Sequence, residues 1–156
     1  IAFGIKNPKA QIYAIDYTSQ ILELAKKNAL SNDVQVDFLC YNILSEEFIN
    51  SFNQCCDIIV SNPPYVRQSE KKFMHDKVLK FEPAAALFVP DEDPLIFYRA
   101  ITQWACKNLV IGGKLYLEIN ESLANEVILL LQGFNFHSIE LRFDMQNKAR
   151  MIKAIH

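Results

Sequence analysis

Asp57-Ile58-Ile59-Val60-Ser61-Asn62-Pro63-Pro64-Tyr65 decides the reading of this chain, because a short β-branched run stops in an amide, two prolines and an aromatic ring. Asp57 to Val60 has the length of a strand, and its β-branched content predicts burial on both faces. Pro63 biases Asn62 toward extended geometry, Pro64 does the same to Pro63, and neither proline carries a backbone donor. Carbonyl acceptors are therefore left facing outward. The Asn62 side-chain oxygen and the Pro63 backbone oxygen can accept both hydrogens of an amide or aromatic amino group while the Tyr65 ring packs on its flat face. The same four residues also read as a rigid surface loop.

Upstream, strands alternate with helices. Ile1 to Ile5 reads as the last turns of a helix that ends before Asn7-Pro8, with no cap in front of it, so a longer parent chain is expected. Gln11 to Ile15 forms a short β run closing on Asp16, and Thr18 or Ser19 is placed to cap the next helix. Ile21, Leu22, Ala25, Ala29 and Leu30 share one face of that helix, which ends at Asn32-Asp33. Val34 to Leu39 reads as a strand near a sheet edge, leading into Cys40-Tyr41-Asn42-Ile43, and Glu46 to Phe52 as partly helical.

Downstream, Val66 to Pro90 is irregular, and so long a connection is functional or has local structure of its own. Leu95, Tyr98, Ile101 and Ala105 mark a helix with an acidic, proline-containing start and an end near Asn108. Gly112-Gly113 turns the chain into a strand over Lys114 to Ile119. Glu121 to Leu131 reads as a helix ending at Gly133, and Phe136 to Phe143 and Arg150 to Ile155 as two final strands joined by a polar turn. The alternation predicts an α/β fold with a mostly parallel sheet covered on both sides. Residues 1–156 read as a single domain.

Composition narrows the class. With 51% apolar and 22% charged residues the chain is ordinary globular protein, neither disordered nor fibrous. No apolar run approaches the roughly 20 residues that span a bilayer, and no signal peptide opens the chain, so a cytoplasmic location without membrane attachment is expected. The net charge of −2 gives no global attraction to nucleic acid. Lys71, Lys72, Lys77 and Lys80 form one candidate basic patch, read as a solvated face. Cys40, Cys55, Cys56 and Cys106 lack the spacing of a metal or redox site and read as buried reduced thiols.

In an open α/β sheet, ligands settle beyond the carboxyl ends of the strands. Asp16 sits at one such end, where it reads equally as an acceptor for both hydroxyls of a ribose or as a helix-start charge. Asn42 sits at another, able to bond an adenine or simply to shape a turn.

The Asp57 to Tyr65 stretch resembles the amino-group methyltransferases that use S-adenosylmethionine, whose signature is Asn/Asp-Pro-Pro-Tyr/Phe. Val66, Phe81-Glu82-Pro83 with Ala86-Leu87-Phe88, Tyr98-Arg99, Gly113 to Ile119 and the Asp144 to Met151 ending extend the likeness to the HemK/PrmC family. Those proteins methylate the glutamine side-chain amide in the Gly-Gly-Gln motif of peptide-chain release factors.

The resemblance implies a Rossmann-like class I methyltransferase sheet, mostly parallel with an antiparallel C-terminal strand. It implies catalytic roles for Asn62, Pro63, Pro64 and Tyr65. Asp16, Tyr17, Asn42, Ile43 and Asn62 would contact the cofactor, and Asn62, Pro63, Tyr65, Phe81, Glu82 and Pro83 the substrate. No metal is implied. Asn42 stands where the family usually has an acid, and Asn120 where it usually has glycine. The family's glycine-rich cofactor loop, the strand before it and a small helical domain are expected upstream of Ile1. That strand would lie between the strands ending at Asp16 and Ser61, leaving the sheet incomplete on its N-terminal side.

Two rival classes stay open: methylation of adenine or cytosine amino groups, and a truncated domain that binds without catalysis.

Overall fold

The structure, a computed structural model, describes residues 1–52 and 54–156. They form two compact units, Ile1–Phe52 and Asn53–His156.

The first unit runs α1 (Ala2–Lys6), β1 (Tyr13–Asp16), α2 (Ser19–Leu30), β2 (Asp37–Cys40) and α3 (Glu46–Ser51). β1 and β2 pair in parallel, from Tyr13 opposite Asp37 to Asp16 opposite Cys40. Gly4 lets α1 approach closely, since a Cβ there would collide with Val34 and touch Ile12. Phe48 and Phe52 are buried, with the Tyr13 ring edge-on to Phe52 at 5.1 Å and the Tyr41 ring 5.8 Å from Phe48.

The apolar face of α2 is narrower than its sequence suggests. Leu22 and Ala29 are buried and Ala25 is half-buried, whereas Ile21 and Leu30 are exposed. A two-stranded sheet covers one strip of a helix, and residues a turn away from that strip stay in water. Thr18 is the N-cap of α2, but its side chain makes no capping bond. Its backbone N–H instead donates to Asp16 Oδ1 at 2.8 Å.

The second unit contains β3 (Cys56–Ser61), β4 (Val66–Arg67), a 3-10 turn (Gln68–Phe73), α4 (Asp76–Phe81), α5 (Ala84–Leu87) and β5 (Phe88–Val89). It continues through α6 (Ile96–Asn108), β6 (Leu109–Glu118), a 3-10 turn (Glu121–Leu123), α7 (Ala124–Gly133), β7 (His137–Phe143) and β8 (Ala149–Ile155). Four strands form a sheet in the order β3-β6-β8-β7. β3 is parallel to β6, and β8 is antiparallel to both β6 and β7. The long Val66 to Pro90 connection has its own structure, closed by parallel pairing of Val66 with Phe88 and Arg67 with Val89.

β6 alternates with period two. Leu115, Leu117 and then Ile119 are buried, and they share the core with Tyr98 and Ile101 of α6, Val127 and Leu131 of α7, and Ile152 and Ala154 of β8. The strand starts earlier than expected, at Leu109, and the glycine pair lies inside it. Gly112 has φ +79°, a conformation that suits a residue without Cβ, and the register shifts there, from Cys56–Leu109 to Ile58–Lys114.

β3 departs from the burial expected of it. Ile58 is 42% exposed and Val60 74% exposed, because β3 is the edge of its sheet and these residues lie on the face shared with Lys114 and Tyr116. β-branched content reported strand propensity and not two-sided burial. The cysteines depart likewise. All four are free thiols, but Cys40 and Cys55 are exposed and Cys56 and Cys106 only half-buried. Among the described residues no helix is long and apolar enough to cross a membrane.

Leu131 and Leu129 lie on the same helix at opposite extremes of burial, 0% and 66% exposed. Leu131→Ala is expected to lower unfolding free energy by about 2–5 kcal/mol, and Leu129→Ala by less than about 0.5 kcal/mol, in urea denaturation followed by circular dichroism.

Candidate active site

Ser61 pairs with Leu117, so the chain leaves β3 beside the carboxyl end of β6. Asn62 is exposed, Pro63 buried, and Pro64 and Tyr65 half-buried. Among the described residues, neither the Asn62 side chain nor the Pro63 carbonyl has a hydrogen-bond partner. Both acceptors are thus available to a ligand that brings paired N–H donors.

Tyr65 is anchored back onto the residues that end and follow β6. Its phenol donates to Glu118 Oε1 at 2.8 Å. Its carbonyl accepts from Asn120 Nδ2 at 3.1 Å. Burial pushes the phenol up to about 12, with the Glu118 carboxylate adding to the shift, so Tyr65 stays a neutral donor at neutral pH. Tyr98, from α6, joins the same corner: its hydroxyl donates to the Glu118 carbonyl and accepts from the Asn120 backbone N–H, both at 3.3 Å. Its burial drives its own pKa upward.

Asn120 also reaches Glu70, whose carboxylate accepts from Asn120 Nδ2 at 3.0 Å and from the Arg67 backbone N–H at 2.8 Å. Burial opposes ionisation of Glu70, yet the bonds from Arg67 and Asn120 outweigh it and hold the carboxyl below its ordinary range. Sequence reasoning assigned no site role to Glu70, Tyr98, Glu118 or Asn120. Their convergence depends on β3 lying beside β6, and local pattern does not encode strand neighbours. The sequence signals pointing there were the departure from glycine at Asn120 and the place of Tyr98 and Glu118 among the residues that carry the family likeness.

In the first unit, Asp16 and Asn42 lie at the carboxyl ends of neighbouring strands, and the Tyr41 N–H donates to the Asp16 carbonyl at 3.0 Å. Asp16 is half-buried, and its Oδ1 takes the Thr18 N–H, leaving Oδ2 without a partner among the described residues. Asn42 is exposed and shapes a turn: its Oδ1 accepts from Leu44 N–H at 3.0 Å, and its carbonyl accepts from the Ser45 hydroxyl. Its Nδ2 has no partner among the described residues. Tyr17 is exposed and Ile43 half-buried.

Phe81, Glu82 and Pro83 are exposed where α4 passes to α5, and no hydrogen bond or ring contact among the described residues joins them to Asn62–Tyr65. Of the candidate basic patch, Lys71 lies over Phe88, Lys72 over Phe73 and Lys80 over Phe81, at 4.9–5.6 Å from the ring centres. His75 caps α4 through Nδ1, and exposed His137 neighbours Ser138.

Residues 1–88 match the family model described as methyltransferase small domain. The chain is 49% identical over 147 residues to the release factor glutamine methyltransferase of Flavobacterium psychrophilum, covering 94% of this chain and 50% of that protein. It is 40% identical over 147 residues to the protein of the same name from Bacteroides thetaiotaomicron, covering 94% of this chain and 52% of the relative. The chain therefore spans about half the length of these relatives. In structure it is similar to a methyltransferase from Pyrococcus furiosus, with TM-score 0.68 at 16% identity over 99% of this chain and 66% of the other. The α/β fold expected from the alternation of strands and helices is thus the fold of methyltransferases, and by its own sequence the chain belongs to the methyltransferase small domain family.

Proposed function

We propose that the full-length protein carrying this chain transfers a methyl group from S-adenosylmethionine to a glutamine side-chain amide, in the Gly-Gly-Gln motif of peptide-chain release factors. The observation that carries this reading is the pair of unpartnered acceptors at Asn62 and Pro63, held beside the anchored Tyr65. The identity of the chain to proteins named for that reaction supports the choice of substrate. Residues 1–156 are taken together as a catalytic domain acting in the cytoplasm.

An amide nitrogen is a weak nucleophile because its lone pair is delocalised into the carbonyl. Asn62 Oδ1 and the Pro63 carbonyl each accept one amide N–H, which aims the nitrogen and stabilises positive charge developing on it. Pro64 stiffens the loop, and the Tyr65 ring packs on the amide plane. S-adenosylmethionine supplies an electrophilic sulfonium methyl. The amide nitrogen would gain the methyl as the sulfonium S–CH3 bond breaks, leaving the electron pair on the thioether sulfur of S-adenosylhomocysteine, and would release one proton to water, so no strong base is needed before attack, and His75 and His137 have no part. Phe81, Glu82 and Pro83 are assigned to substrate contact.

The donor set of the first unit fits the cofactor. Asp16 keeps one free carboxylate oxygen for ribose hydroxyls, and Asn42 keeps a free amide nitrogen for a ring nitrogen of adenine. Tyr17 and Ile43, next to them in the chain, complete that share of the contacts.

The full-length protein, incubated with labelled S-adenosylmethionine, is expected to label a release factor at the Gly-Gly-Gln glutamine, read by tandem mass spectrometry, and to leave DNA unlabelled. Label in DNA alone would overturn the substrate assignment. Asn62→Ala is expected to lower kcat by about 10²–10³-fold at saturating S-adenosylmethionine, measured by label transfer to the release factor. Tyr65→Phe keeps the ring and loses the hydroxyl anchor, and is expected to cost no more than about tenfold in kcat.

A further inference from the structure

The clamp loop has two ends, and they are held differently. Its start is continuous with the β3 ladder, where Ser61 pairs with Leu117. Its finish runs into the short pairing of Val66 with Phe88, and Tyr65 itself is held by side chains: Glu118 fixes its phenol, and Asn120 grips its backbone carbonyl. The Tyr65 backbone, one residue before that two-residue pairing, is therefore held in part by Asn120.

Asn120 is 7% exposed, and its amide is fully used. Nδ2 donates to the Tyr65 carbonyl at 3.1 Å and to Glu70 Oε2 at 3.0 Å. Oδ1 accepts from the Ser122 N–H at 3.0 Å and from the Ser122 hydroxyl at 2.9 Å. An amide offers two donors and two lone pairs, so every bonding position has a partner. Reversing it would set oxygen against a carbonyl and a carboxylate, so the network admits one orientation. Glu70 is itself tethered to Arg67, the second residue after Tyr65, and Arg67 Nη2 also reaches Ser122 Oγ at 3.3 Å. The grip thus closes a ring through Tyr65, Asn120, Glu70 and Arg67.

We propose that Asn120 is a positioning residue for the amide clamp: by holding the Tyr65 carbonyl and the Glu70 carboxylate together, it sets where the Asn62 and Pro63 acceptors stand. The inference rests on the glutamine-methylation reading for its catalytic consequence, and on the hydrogen-bond ring alone for its structural one. A clamp that must align an amide for in-line transfer is sensitive to small displacement, and a shift of about 1 Å can cost about 10²-fold in rate.

Asn120→Asp is a near-isosteric test. The bonds from Ser122 remain, but the introduced carboxylate faces two acceptors. The charged groups around it are Arg67 and Glu70, with Glu118 and Arg150 on the Tyr65 side. Its proximity to Glu70 raises the pH at which the pair takes up a proton, and the protonated form regains a donor. Asn120→Ser shortens the side chain without adding charge and has no such recovery.

In the full-length protein, both variants are expected to lose about 10- to 100-fold in kcat near pH 8 with KM for S-adenosylmethionine changed by less than about threefold, and only Asn120→Asp should regain activity relative to wild type toward about pH 6. A kcat within about threefold of wild type near pH 8 for either variant would overturn the proposal. So would a loss in both that follows a lowered Tm and shows no pH recovery. If wild type itself methylates no glutamine, amide hydrogen exchange over residues 61–67 decides: exchange faster by about tenfold or more in both variants supports the positioning role, and wild-type rates overturn it.

Discussion

Parallel pairing of β3 with β6 is the constraint on which the rest of the second unit depends. It aligns the carboxyl ends of two strands that are far apart in sequence, with Ser61 opposite Leu117. Parallel strands need a long crossover, here the whole of residues 62–108, and that crossover supplies both the clamp loop and α6. α6 returns Tyr98 under the end of β6, where one buried hydroxyl satisfies the Glu118 carbonyl and the Asn120 N–H. Without that hydroxyl two backbone groups at the edge of the core would lack partners.

The polar corner at Tyr65 combines opposite demands. The proposed amide substrate calls for free acceptors, and free buried acceptors are costly. Asn62 is exposed, so its open oxygen is hydrated at little expense, while Pro63 is buried by its ring and has no N–H to satisfy. Stiffness is provided around them, by the prolines within and by Glu118 and Asn120 beyond. Charge in the corner is handled by hydrogen bonds more than by exposed ion pairs: Glu70 is stabilised as a carboxylate by Arg67 and Asn120 together.

The first unit has another economy. Four pairs of residues join β1 to β2, and an aromatic group of Tyr13, Tyr41, Phe48 and Phe52 stands in for a larger core. Asp16 there does two things at once, shaping the start of α2 through Thr18 and keeping an oxygen free at the strand end. Helix-start charge and ligand acceptor, which the sequence left even, are compatible in one residue, since the bond to Thr18 uses one of the two carboxylate oxygens.

The order of helices and strands was legible because periodicity and punctuation are local. The alternation Leu115, Leu117, Ile119, the Asp144 turn and the stop at Asn62-Pro63-Pro64-Tyr65 each carry their meaning within a few residues. Local pattern was silent on partners. It overcounted burial at Ile21, Leu30, Ile58, Val60 and the cysteines, because burial depends on what covers a face and not on the residue's own preference. It also missed Tyr98, Glu70 and the hold of Asn120 on Tyr65. By itself the sequence determined the kind of fold and the residues of the proposed clamp. Only tertiary structure decided what holds the clamp, because hydrogen bonds between residues as distant as Tyr65 and Asn120 exist only once β3 and β6 lie side by side.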